Sequence, residues 1–354
     1  MARAAVAVGR PPQLVTAEAF EHPCWLLTTF GARNLSKPGE WGQIQGRFSG
    51  LRNGQRELTH PRPLAIFDPL ERQELEPMSN EQMRWLLKVI QPERTLASLP
   101  GGAGLSQETH AALLGLPSEA YTTELGRMKA EAREAAYELL ADPVTASMVD
   151  RLPLRKGATV VAFGDSLTSE PQCWALILNE LLAARRAADG ISVAINAVGG
   201  DTTTHGLVRL GEVVGQQPDW ILFLVGTNDA RTQGPHPTKT LVHHDETVRN
   251  IAELRQRVSR ETKARAVWIT PPAVNEEQVA AHWGLARFGV RFRNQDLARV
   301  AEIVRDIDGA AIDVFSALGT PPPADLLMGD GLHFTVAGQK RLALEVIKGW
   351  SNLK

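Results

Sequence analysis

From residue 158 onward the chain alternates between short, continuous apolar runs and longer stretches whose apolar positions recur every three to four residues. The runs Thr159–Phe163, Ser192–Val198, Trp220–Val225, Ala266–Thr270 and Ala311–Phe315 are predicted as strands. They show no polar alternation, so both faces must be covered, as in a parallel sheet. Periodic segments at about 174–186, 203–214, 240–260, 292–306 and 335–350 are predicted as helices. Strict alternation of the two kinds implies right-handed crossover units, and hence an α/β fold with a five-stranded parallel sheet between helical layers, of flavodoxin-like type.

The first 150 residues read differently. Residues 1–75 are rich in Pro, Gly and Arg, with short apolar runs at Cys24–Leu27 and Leu64–Phe67. At Ser79–Met83 the pattern becomes that of a helix start, continued by Trp85, Leu86, Leu87, Val89 and Ile90 up to Pro92. Two more helices are expected at Ser106–Leu114 and Ser118–Ala141, the second closed by Asp142 and Pro143, and Leu152–Gly157 reads as a linker. The chain is therefore expected to divide into a smaller, mainly helical accessory domain at 1–151 and an α/β domain at 152–354. The accessory part carries no chemical motif, since His22, His60 and His110 are isolated. A scaffold over the α/β domain or a surface for homo-oligomer formation is the expected role, with a substrate-recognition module as the alternative.

Chemistry concentrates where the strands end. The first strand stops on Gly164, which supplies freedom for a sharp turn, and delivers Asp165 and Ser166 to the carboxyl edge of the sheet, where crevices form in open α/β folds. Ser169 and Pro171 fit the start of the following helix. An attacking serine needs a base, and the base needs a group to fix its tautomer. Asp330 and His333, three apart in a glycine-containing turn before the last helix, offer that pair. The nucleophile lacks the Gly-x-Ser-x-Gly elbow of α/β-hydrolases, and the acid is not widely separated from the histidine.

Two further blocks, Asn196–Thr202 and Val225–Asp229, close the second and third strands. Together the four blocks resemble the SGNH, or GDSL-type, family of serine esterases and acyl hydrolases, over roughly residues 157–350. The resemblance implies catalytic residues Ser166, Asp330 and His333, and an oxyanion hole formed by the Ser166 N–H, the Gly200 N–H and the Asn228 amide. Gly199 is an adjacent alternative; Gly200 is preferred because it directly precedes Asp-Thr, as in bacterial members. Asp165, Asp229 and Arg231 are expected to brace the loops. His205 reads as a solvated histidine that could also face the cleft, and Trp283, Phe288 and Phe292 as either pocket wall or core. His243 and His244 lie adjacent and diverge around a helix, with no carboxylate spacing to complete a metal site.

Composition narrows the setting. The 354 residues are 43% hydrophobic and 22% charged, with a formal net charge of -2, so nothing favours a nucleic-acid partner. No Gly-x-Gly-x-x-Gly follows a strand, and neither a cofactor nor a metal is expected. The two cysteines, Cys24 and Cys173, lie in separate segments and do not suggest a disulfide framework. With no membrane-length apolar stretch and no signal-like leader, a cytoplasmic location is expected. The expected activity is hydrolysis of carboxylic or thio esters of small or lipid-like substrates through an acyl-enzyme. An acyltransferase that passes the acyl group to a sugar or alcohol is the alternative, and a non-catalytic flavodoxin-like binding protein the third reading.

Overall fold

The computed structural model describes residues 78–97, 101–307 and 311–353. The expectations for residues 1–77, including Cys24, His22 and His60, lie outside these. The compact unit that carries the sheet runs from Glu74 to Lys354.

Five parallel strands form the sheet: β1 (Thr159–Gly164), β2 (Ser192–Ala197), β3 (Trp220–Leu224), β4 (Arg265–Ile269) and β5 (Ala311–Ile312). Their spatial order is β2-β1-β3-β4-β5, so the direction of winding reverses beside β1. A crevice opens at such a reversal. The main helices are α1 (Asn80–Val89), α2 (Gln107–Leu113), α3 (Ser118–Leu140), α4 (Pro143–Asp150), α5 (Trp174–Arg185), α6 (Thr203–Gln216), α7 (His244–Glu261), α8 (Asn294–Arg305) and α9 (Val336–Ser351).

Strand side chains alternate between two apolar layers, as the pleat requires. Val160, Ala162, Leu222, Leu224, Val267 and Ile269 pack with residues of α5 and α9, and α3 adds Ala132, Ala135 and Ala136 to the same layer. Val161, Phe163, Ile221, Phe223 and Trp268 face α6, α7 and α8 through Leu210, Leu254 and Val304. The Phe223 and Trp268 rings stack across β3 and β4, with centroids 4.3 Å apart. The expected linker is part of the first layer: Leu152 and Leu154 are buried, and Arg186 donates to both of their carbonyls. No helix among the described residues is long and apolar enough to cross a membrane.

Several boundaries differ from the sequence reading, each for a local reason. The apolar run at 311–315 is strand only to Ile312, because the Asp313 carboxylate accepts from the Ser316 N–H and starts a short helix, Val314–Leu318. Pro143 opens a helix of its own, α4, since Asp142 accepts from the Val144 and Thr145 N–H groups. Ser169 is not the cap of α5; it ends a one-turn helix, Ser166–Ser169, and α5 begins after Cys173. The start of α1 matches the expected pattern, with Ser79 and Gln82 bonded reciprocally.

Candidate active site

The turn that carries Ser166 is held by space rather than by unusual dihedrals. A Cβ at Gly164 would lie 2.5 Å from Thr168 Oγ1 and 2.6 Å from the Leu224 carbonyl oxygen, so only glycine lets the one-turn helix fold back over β1. The close approach, not the backbone freedom expected of it, is what Gly164 provides. Asp165 caps that helix, its carboxylate accepting from the Leu167 N–H at 3.1 Å, and burial pushes its carboxyl up to about 7. It braces the turn that presents Ser166.

From the far end of the chain the turn before α9 brings in the other partners. His333 Nε2 lies 3.1 Å from Ser166 Oγ, and His333 Nδ1 lies 2.6 Å from Asp330 Oδ2. Asp330 Oδ1 accepts from the Leu332 and His333 N–H groups at 3.0 and 2.9 Å. All three side chains are buried. Burial alone would raise the Asp330 carboxyl, but the His333 charge and these hydrogen bonds outweigh it and hold the group well below the usual carboxylate range. At His333 burial opposes the imidazolium, yet the charge and hydrogen bond of Asp330, reinforced by Glu170, hold it above its usual value.

The remaining predicted residues converge on the same place. Ser166, His333, Gly199, Gly200 and Asn228 line one cleft of about 310 Å³, together with Val89, Ile90, Leu285, Val290 and Leu332. Gly200 has φ +83°, a left-handed conformation that disfavours any side chain. The Asn228 amide donates to the Asp201 carbonyl at 3.0 Å, which fixes its plane and uses one of its two N–H groups. Asp229 accepts from the Thr203 N–H at 2.9 Å and from the Thr203 and Thr247 hydroxyls, tying the loop after β3 to α6 and α7. A second cleft, of about 330 Å³ beside Arg94 and Arg209, has no nucleophile among its lining residues.

Other candidates fall elsewhere. His205 accepts from the Thr202 N–H at the start of α6, and His243 from the Asp245 N–H at the start of α7. Among the described residues no group of three or more His, Cys, Asp or Glu is placed to hold a metal ion. Trp283 and Phe288 are exposed and Phe292 is core; none of them lines the cleft. Arg231 does line it, and no bond from its guanidinium braces the loop among the described residues.

Three residues that carried no signal in the sequence reach the site. The Trp85 indole N–H donates to Asp330 Oδ2 at 2.7 Å, the same oxygen that faces His333. Lys88, one turn further along α1, donates to the carbonyl of Phe334 and lies 3.4 Å from the buried Glu170 carboxylate. Gln339 on α9 donates to the same carboxylate at 2.6 Å and to the Leu167 carbonyl, and accepts from the Trp174 N–H. Trp85 and Lys88 fit the apolar and polar periodicity of α1, so nothing in the pattern marks them as partners of a turn 245 residues away.

Fold and site together define an α/β protein with a serine, an imidazole and a carboxylate in line at the carboxyl edge of a parallel sheet. Residues 162–341 match the GDSL-like lipase/acylhydrolase family, and the chain belongs to it. A GDSL esterase/lipase of Arabidopsis thaliana is 25% identical over 205 residues, 53% of this chain; the match spans 62% of that relative's length. Among solved structures, the lipase/acylhydrolase from Enterococcus faecalis is 24% identical, covering 56% of this chain and 97% of that one with a TM-score of 0.44. Axe2, an acetylxylan esterase from Geobacillus stearothermophilus, is 21% identical and covers 55% of this chain and 95% of its own, also with a TM-score of 0.44.

Proposed function

We propose that this protein is a serine hydrolase that cleaves carboxylic or thio esters of small or lipid-like substrates through an acyl-enzyme. The observation that carries the reading is the 3.1 Å approach of His333 Nε2 to Ser166 Oγ, with Asp330 against the other ring nitrogen. Ser166 Oγ attacks the acyl carbon while its proton passes to His333 Nε2. Asp330 holds the Nδ1 proton in place and stabilises the imidazolium. The charge that develops on the former carbonyl oxygen is met by the N–H groups of Ser166 and Gly200 and by the second N–H of the Asn228 amide. His333 then gives its proton to the leaving alcohol or thiol. A water that loses a proton to His333 attacks the acyl-serine, and the carboxylic acid leaves as Ser166 recovers its proton. If an alcohol or sugar takes the place of that water, the same two half-reactions give acyl transfer.

We further propose that the helices upstream of β1, between Asn80 and Asp150, serve the site as a brace. The reach of Trp85 and Lys88 into it supports that role.

A fluorophosphonate probe tests the nucleophile. The native protein is expected to gain one adduct by intact mass, and Ser166→Ala none, with its thermal melt unchanged. Equal labelling of folded Ser166→Ala would remove Ser166 from the reaction.

A further inference from the structure

The loop that carries Asn228 also carries Arg231, and the two line the same cleft. The Arg231 backbone is fixed on both sides, its N–H donating to the Asn228 carbonyl at 3.3 Å and its own carbonyl accepting from the Leu241 N–H at 2.7 Å. Its side chain is a different matter. The Nε is shut off from solvent and has no hydrogen-bond partner among the described residues. Burial lowers the affinity of the guanidinium for its proton, and no acidic group contributes in the opposite sense. None of the cleft-lining residues is an Asp or Glu. Of the carboxylates around the site, Asp330 is engaged by His333 and Trp85, Asp229 by Thr203 and Thr247, Glu170 by Lys88 and Gln339, and Asp201 by Arg209; Asp165 keeps one oxygen without a partner among the described residues but does not act on Arg231.

A guanidinium partly withdrawn from water without a counter-charge is costly, and an anion that enters the cleft relieves the cost. The rest of the wall is largely apolar, through Val89, Ile90, Leu285, Val290 and Leu332, so a charge brought there is poorly screened and well felt. The planar fork of arginine suits a carboxylate, which it can hold by two parallel N–H···O bonds.

We propose that Arg231 is a specificity-determining residue that selects esters bearing a carboxylate on the acyl or the alcohol part. The inference rests on the serine-hydrolase reading of the site. It implies that the natural substrate is an acid-bearing ester, such as a hemi-ester of a dicarboxylic acid or an acyl derivative of a hydroxy acid.

Matched pairs of esters test it on the full chain. For the acyl side, the 4-nitrophenyl monoester of glutaric acid is compared with 4-nitrophenyl valerate. For the alcohol side, 4-acetoxybenzoate is compared with its methyl ester. At low salt the native protein is expected to favour the anionic member of one pair by about 10- to 100-fold in kcat/KM, the range of a charge-assisted hydrogen bond. The preference should shrink as ionic strength rises. Arg231→Gln should collapse that ratio toward one, whereas Arg231→Lys should retain part of it. A native protein that turns over both members of each pair equally would overturn the proposal while leaving the hydrolase reading intact. The proposal falls equally if Arg231→Gln slows both members in the same proportion, for then the arginine acts on the loop or on the transition state in general. Failure of the folded native protein to cleave any ester or to take up a phosphonate would overturn the site reading, and this inference with it.

Discussion

At Asn228 a single amide separates two roles that the same residue type performs in many loops. Its bond to the Asp201 carbonyl orients it, as a turn residue would be oriented, but its place in the cleft beside Ser166 and Gly200 suits a donor to the oxyanion. A donor of that kind acts mainly in the transition state. Asn228→Ala is therefore expected to lower kcat by about 10²- to 10³-fold with KM little changed. Phosphonate labelling should slow without disappearing. Native labelling rates combined with a lowered Tm would assign the residue to the scaffold instead. His333 sets a second expectation at this scale. In the proposed mechanism the base works as the neutral imidazole, so kcat/KM should rise with pH as His333 loses its Nε2 proton. Burial opposes the imidazolium, but the Asp330 charge and hydrogen bond at Nδ1 stabilise it more, so the midpoint of the acid limb should lie above the ordinary histidine value of 6.5. A pH profile of kcat/KM with its limb at or below that value would show the Asp330 charge to be offset by burial.

At the scale of elements, α1 is the one whose importance the pattern least conveys. Its helical character was legible from Ser79 to Ile90, and its start follows the expected capping chemistry. Periodicity shows that a helix buries a face; it does not show against what. Trp85 packs against His282 and Trp283 and donates to Asp330, so the helix carries both an apolar anchor and a hydrogen bond to the turn that holds Asp330 and His333. Trp85→Phe keeps most of the ring and removes the donor. If the bond steadies Asp330 during turnover, kcat should fall by about 10- to 100-fold, the worth of one hydrogen bond to a charged group. The acid limb of the pH profile should move with it, which a packing defect alone would not cause. An unchanged limb alongside a lower Tm would make Trp85 a core residue and nothing more. The strands were read more fully: β1 and β3, covered on both faces, are apolar almost without interruption, whereas the edge strand β2 is partly exposed, and Asp313, whose carboxylate starts a helix, cut β5 to two residues.

For the whole molecule, the α/β alternation and the four sequence blocks were enough to bring Ser166, Gly200, Asn228 and His333 to one crevice, with Asp330 buried behind His333. The carboxyl ends of neighbouring strands meet there whatever lies between them. What stayed hidden was the extent of the body around the site. The apolar layer behind the sheet includes Ala132, Ala135, Ala136, Leu139 and Val149 of α3 and α4 together with Trp174, Leu178 and Leu342 of α5 and α9. Alanine-rich helices such as α3 read equally well as free-standing scaffolds, since small side chains give little sign of the surface they approach. A chain beginning at Leu152 would uncover that layer and leave Glu170 without the Lys88 ammonium. It is expected to aggregate or to melt far below the full chain and to show almost no turnover. A soluble, fully active product of that length would refute the brace.

The bond from Trp85 to Asp330 also has a consequence in time. It joins positions 245 residues apart, and closing so long a span costs chain entropy that no local interaction repays in advance. As the polypeptide leaves the ribosome, α1 emerges before the sheet and must wait for all five strands before its partner Asp330 exists. The bond thus reports on completion: protection of the Trp85 indole N–H from exchange and the onset of ester cleavage should reach their final values together, after the backbone signal of the helices has already developed.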